Sequence, residues 1–177
     1  MIAIVDYGVG NVRSVERADG VVLPGVGAFA PALEKLSENG LGRRIVELAG
    51  KGKPLLGVCL GYQLLFDESS EHGRHEGLGL LPGKVAQVES SDRLPVIGWC
   101  RLMLSDDSVL WQGIKDRSYF YFVHSFTPSS SEAAIAWTDH SPAAAGARRN
   151  VMGTQFHPEK SGPDGLAVYK NFVGYCS

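Results

Sequence analysis

Gly57-Val58-Cys59-Leu60-Gly61 follows an apolar run and precedes Tyr62, Leu64, Leu65 and Phe66, which gives it the Gly-x-nucleophile-x-Gly form of a strand-to-helix elbow, with cysteine as the nucleophile. The two glycines permit a tight turn that pushes the sulfur over a sheet edge, where a helix N-terminus favours the reactive thiolate. A buried structural cysteine at a strand end is the plain alternative; the flanking glycines and the strand and helix context weigh against it. A thiolate needs a base and something to orient that base. Phe156-His157-Pro158-Glu159 offers both, 98 positions downstream (157 − 59 = 98). In extended chain, positions i and i+2 face the same way, so Glu159 can stand behind His157 and fix its tautomer. Read alone, His-Pro-Glu is equally a surface loop after an edge strand. Donors for a developing oxyanion are available from the backbone of the Pro24-Gly25-Val26-Gly27 turn and from the Leu60 amide.

The same Gly-rich turns invite a dinucleotide reading, because Gly25-Val-Gly27-Ala-Phe-Ala30 mimics Gly-x-Gly-x-x-Ala and Gly8-Val-Gly10 follows the first apolar run. That reading fails at the last position of Gly8 to Arg13 and leaves Cys59 and His157 unexplained. Glu71, His72, His75 and Glu76 crowd a Gly-rich polar loop without ordered ligand spacing, so neither a metal nor an organic cofactor is expected.

The elements that would position these groups alternate in the first half: strand at Ile2 to Val5, helix at Asn11 to Ala18, strand at Val21 to Leu23, helices at Pro31 to Asn39 and Arg43 to Gly50, strand at Leu55 to Val58. Strands without polar alternation are covered on both faces, which predicts an α/β domain with a mostly parallel central sheet flanked by helices. Gly-rich turns end the first three strands, and ligands in such sheets bind at those carboxyl ends. From Leu80 the texture becomes β-rich: strand-like pieces at Lys84 to Val88, Val96 to Leu104, Tyr119 to Val123, Ala134 to Trp137 and Val151 to Phe156 are separated by Gly, Pro, Ser and Asp clusters. Pro163, Asp164, Leu166, Tyr169, Phe172 and Val173 predict a closing helix. No linker divides the halves, so residues 1–177 are read as one domain.

With 17 basic and 19 acidic residues the net charge is −2, which excludes the basic stripe that nucleic-acid binding needs. No apolar run approaches the roughly 18 to 20 residues of a membrane helix. Met1 to Val5 runs into Asp6 without a basic region or cleavage site, so no signal peptide is expected and the placement is cytoplasmic. Cys59, Cys100 and Cys176, an odd number at unrelated spacings, fit reduced thiols.

These residues resemble class I glutamine amidotransferases, and within them the glutaminase subunits of imidazole glycerol phosphate synthases of histidine biosynthesis. The elbow through Gln63 and the His-Pro-Glu look like the class. Asp6-Tyr7-Gly8-Val9-Gly10-Asn11, Leu23 to Phe29, Tyr119 to Ser125 and Gln155 to Gly162 narrow the likeness to the subunit. The resemblance implies that Cys59 attacks the side-chain amide of L-glutamine, that His157 shuttles the proton, and that a γ-glutamyl thioester forms and is hydrolysed. It implies an oxyanion site at the Val26 and Leu60 amides, with Gly25, Gly27, Gln63, Ser125 and Phe126 around the substrate. It further implies a heterodimer in which ammonia passes to a cyclase (β/α)₈ barrel, through a contact lined by Asn11, Trp99, Tyr121 and Lys160. On periodicity alone Trp99 and Tyr121 read as core aromatics, and Lys160 as a solvated charge.

The sequence departs from that pattern in three places. The family has a longer first helix and a further strand before Asp19-Gly-Val-Val-Leu-Pro-Gly25, so a segment is expected to be absent between Ala18 and Asp19. Ile97-Gly98-Trp99-Cys100 stands where the family shows Met-Gly-Trp-Asn, and Phe126 stands where it has tyrosine. The last two bear on coupling to the barrel and on which acceptor receives the ammonia, not on the triad.

Overall fold

The computed structural model describes residues 1–7, 12–89, 94–105, 108–129 and 131–177; Asn11, expected at the partner contact, lies outside them. The strands are β1 (Ile2–Ile4), β2 (Gly20–Leu23), β3 (Leu55–Val58), β4 (Phe66–Ser69), β5 (His75–Glu76), β6 (Leu81–Gln87), β7 (Val96–Arg101), β8 (Met103–Leu104), β9 (Tyr119–His124), β10 (Phe126–Pro128), β11 (Ala134–Thr138), β12 (Ser141–Arg148) and β13 (Val151–Thr154). The helices are α1 (Val12–Arg17), α2 (Phe29–Glu38), α3 (Leu41–Gly50), α4 (Leu60–Gln63) and α5 (Gly162–Tyr175).

The central sheet runs β1-β2-β3-β13-β12-β11-β8. Its first three ladders are parallel and the next three antiparallel, so the parallel half predicted from the N-terminal alternation continues into a mixed sheet. Strand pleating sends alternate residues to opposite faces. Val21, Leu23, Leu55 and Val151 join one core cluster with α1, α2 and α3, while Val22, Leu56, Val58 and Met152 join the other with Val168 and Phe172 of α5. Both faces are covered, which is why these strands carry no polar alternation. A four-stranded sheet, β10-β6-β4-β5, and a two-stranded sheet, β7-β9, flank this layer.

Among the elements that differ from the sequence reading, two bear on the elbow. The apolar run Tyr62 to Phe66 does not continue the elbow helix, because α4 ends at Gln63 and Phe66 opens β4. The Leu64 and Asp67 carbonyls accept from Leu78 and Gly77 at 2.8 Å each, so the backbone of this segment is satisfied across the fold. The alanine-rich β12 was not expected as a strand, since alanine and Pro142 disfavour sheets. Small residues of β12 and its neighbour β13 admit the Tyr62 ring: a Cβ on Gly146 of β12 would stand 2.7 Å from the Tyr62 hydroxyl, and one on Gly153 of β13 2.1 Å from the ring.

The Ala18–Asp19 junction is tied to its neighbours on both sides. The Ala18 amide bonds the Ser14 carbonyl at 3.1 Å and the Asp19 amide the Met1 carbonyl at 2.9 Å, with a six-residue α1 between β1 and β2. No further strand precedes β2 among the described residues, and β1 forms the sheet's edge. A helix this short needs outside help. The Lys53 ammonium supplies it, donating to the carbonyls of Val15 at 3.2 Å, Glu16 at 2.8 Å and Ala18, where a cation complements the helix C-terminus. Lys53→Met is expected to cost about 1–2 kcal/mol in urea unfolding; an unchanged midpoint would remove this role.

Candidate active site

The elbow is made by close approach more than by glycine flexibility. A Cβ on Gly61 would lie 1.8 Å from the Leu23 carbonyl oxygen, and one on Gly57 2.7 Å from the Tyr62 Cα, so a side chain at either place would force the turn off the sheet. The left-handed backbone falls instead on Cys59, at φ 54°. A non-glycine residue held there is the strained position of this kind of turn.

Cys59, Leu60, Gln63, Val26, Gly27, Glu71, His124, Ser125, Phe126 and His157 line one cavity of about 370 Å³, a volume suited to a small ligand. The structure thus brings together both predicted halves of the chemistry, the elbow and the His-Pro-Glu segment. His157 Nδ1 lies 2.7 Å from Glu159 Oε1. Pro158–Lys160 is a 3₁₀ turn, so Glu159 reaches the ring by folding back and not by extended-chain alternation. The Tyr169 hydroxyl donates to the second carboxylate oxygen at 3.3 Å. With Nδ1–H spent on Glu159, Nε2 is the nitrogen free to act as base. The segment is pinned to β9: the His157 amide bonds the Tyr121 carbonyl at 3.0 Å, and Ser161 Oγ bridges the His157 carbonyl at 2.6 Å and the Tyr121 amide at 2.9 Å.

Burial and the elbow's amide act on the Cys59 thiol in opposite senses. Burial pushes the Cys59 thiol up to about 11, against the lowering contributed by the Leu60 amide; Glu159 raises it further and Lys160 lowers it. The helix behind the elbow has only four residues, too few for its dipole to offset desolvation. Burial at Cys59 thus disfavours the charged form, and a proton acceptor facing the same cavity favours attack by the sulfur.

Several polar contacts that sequence spacing does not report fix this geometry. Gln63 Nε2 donates to the Phe126 carbonyl at 2.8 Å and to Gln155 Oε1 at 3.0 Å, and Gln155 Nε2 lies 3.8 Å from Cys59 Sγ. His124 Nδ1 lies 3.1 Å from the same Phe126 carbonyl, and burial holds its ring neutral by lowering its pKa to about 4. The Tyr7 hydroxyl donates to the Pro24 carbonyl at 2.5 Å and faces Gly25, whose Cβ would meet the Gly61 amide at 2.9 Å. Glu71 Oε2 accepts the Phe29 amide at 2.8 Å, anchoring the start of α2 behind the Val26–Gly27 turn. Single buried polar residues carry no periodic signal, so their partners could not be read from the chain. No cluster of three or more potential metal ligands occurs among the described residues.

Trp99 and Tyr121 are not core. Trp99 is 55% exposed, and Tyr121, half-buried, meets it edge-on with ring centroids 6.1 Å apart. Lys160 Nζ stands 5.9 Å from the Tyr121 ring centroid. Pairing of Ile97 with Val123, Trp99 with Tyr121 and Arg101 with Tyr119 puts an apolar row, ended by the Arg101 guanidinium, on one face of β7-β9, whose Tyr121 carbonyl holds the His157 amide. Ile97 and Tyr119 are exposed as well.

A family model described as glutamine amidotransferase class-I matches residues 6–175. The chain belongs to that family. It is 45% identical over 197 aligned positions to the imidazole glycerol phosphate synthase subunit HisH of Desulfitobacterium hafniense, covering 97% of this chain and 93% of that one. To the subunit of the same name from Bacillus cereus it is 44% identical, over 98% and 94%. Those 197 positions exceed the chain's 177 residues, so at least 20 of them (197 − 177) face a gap in this chain, in keeping with the short first crossover. Among solved structures, the crystal structure of a glutamine amidotransferase superposes with a TM-score of 0.76 at 17% identity, over 99% of this chain and 98% of that one. Membership makes the chain a glutamine amidotransferase with a mixed-sheet α/β fold. No helix among the described residues is long and apolar enough to cross a membrane.

Proposed function

We propose that residues 1–177 form one glutaminase domain, the HisH-type subunit of imidazole glycerol phosphate synthase, working in the cytoplasm as a heterodimer with a cyclase (β/α)₈ barrel. The observation that carries the reading is the Glu159-His157 pair facing the same cavity as the strained Cys59 elbow. His157 Nε2 takes the thiol proton as sulfur attacks the carboxamide carbon of L-glutamine. The oxyanion forms beside the Leu60 amide and the Val26 turn. His157 returns the proton to the departing nitrogen, ammonia leaves, and a γ-glutamyl thioester remains for water to hydrolyse to glutamate. Gln63, Ser125 and Phe126 hold the amino-acid end of the substrate, with Gly25 and Gly27 shaping the opposite wall.

The partner docks on the apolar row of β7-β9. Trp99 and Tyr121 lie there, Lys160 next to Glu159 stands over the Tyr121 ring, and the Tyr121 carbonyl holds the His157 amide, so docking acts on the segment that carries the base. Glu159→Gln is expected to lower kcat about 100-fold in the complex, because the amide no longer stabilises the imidazolium. Steady-state glutamate release checks this, and undiminished turnover removes Glu159 from the mechanism.

A further inference from the structure

Gln155 follows β13 and is fully buried, with its amide bonded to the Ala144 carbonyl at 2.8 Å. The Cys59 amide bonds the neighbouring Thr154 carbonyl at 2.8 Å, so the backbones of nucleophile and glutamine are tied into one ladder. The orientation of the Gln155 side chain follows from donor and acceptor counting. The Phe126 carbonyl can only accept, so the group of Gln63 that meets it at 2.8 Å is the NH₂. The second hydrogen of that NH₂ requires an acceptor, and Gln155 Oε1 at 3.0 Å is its partner. The Gln155 nitrogen is thereby turned to the other side, 3.8 Å from Cys59 Sγ.

We infer that Gln155 is a positioning residue for the nucleophile: locked by Gln63 and the Phe126 carbonyl, it presents an N–H, never a C=O, to the Cys59 sulfur and favours the thiolate as His157 removes the proton. A donor facing sulfur stabilises the charged form, and an acceptor there would oppose it. The relay also links the wall proposed to hold the amino-acid end of glutamine to the reacting atom, since Gln63 and Phe126 belong to both. This deepens the glutaminase reading and rests on Cys59 as its nucleophile.

Iodoacetamide alkylation of Cys59 in the full chain, followed site by site by mass spectrometry across mildly alkaline pH, tests it without glutamine turnover. Below the thiol pKa the rate tracks the thiolate fraction. Gln155→Met, close in volume but without the donor, is expected to slow alkylation about tenfold at every pH, the equivalent of one pKa unit. Gln63→Met frees the Gln155 amide to rotate and is expected to slow it about threefold. A purely structural role predicts the opposite, because a loosened pocket admits water and speeds alkylation. A rate equal to or above wild type in either folded variant overturns the assignment, and Gln63→Met decides alone where Gln155→Met fails to fold. Failure of the glutaminase reading would appear separately, as absent glutamine turnover with these alkylation shifts intact.

Discussion

Cys59→Ala is expected to reduce glutamine-dependent glutamate release by about four orders of magnitude or more, the scale on which loss of a nucleophile acts when triad members work as a unit. In the complex with the cyclase, synthesis fed by free ammonium should continue at the wild-type rate, because the sulfur serves only to release ammonia. The side chain is nearly buried and its amide stays bonded to Thr154 at 2.8 Å, so removing one sulfur leaves the backbone contacts in place. Parallel assays with glutamine and with ammonium separate a chemical defect from a folding defect. Loss of both activities would point to collapse of the site, and survival of the glutamine reaction would exclude the thioester route.

Gly61→Ala should be among the most damaging single methyls at the described glycines. Its Cβ would sit 1.8 Å from the Leu23 carbonyl oxygen, 2.7 Å from the Leu23 carbonyl carbon and 2.9 Å from the Pro24 carbonyl oxygen. All three are backbone atoms of the strand end that leads into the oxyanion turn, so no rotamer change relieves the clash. Separating elbow from strand is expected to cost about 3 kcal/mol or more. Gly50→Ala provides the contrast: at the end of α3 its Cβ meets nothing within 4 Å, so it should be neutral or stabilising by up to about 1 kcal/mol. Chemical denaturation of both variants checks the pair, and equal stabilities would show that the elbow is not held by this approach.

The chemistry of the chain was legible because it is written in local patterns. The elbow, the His-Pro-Glu segment and the Pro24 to Gly27 turn each occupy a few consecutive positions, and strand order in an α/β sheet brings their ends to one edge. Burial is not local, and the reading failed where burial decides. It opposes the thiolate at Cys59 by pushing the thiol up, and it takes up the alanines of β12, of which Ala143, Ala144 and Ala145 are fully buried. It also ends α4 early by drawing Phe66 into β4. Trp99 failed in the opposite sense, as an aromatic at strand spacing that faces outward. Gln155 stood within a recognised segment, yet its contact with sulfur depends on Gln63, 92 positions away, and no spacing rule reports that.

The most direct test is covalent trapping of the cyclase complex with a glutamine-derived diazoketone, whose diazo-bearing carbon takes up the thiol proton before the sulfur displaces dinitrogen from it. An adduct on Cys59 alone, suppressed by excess L-glutamine and absent from Cys100 and Cys176, is the predicted outcome. An adduct on another residue, or one indifferent to glutamine, would contradict the proposed nucleophile.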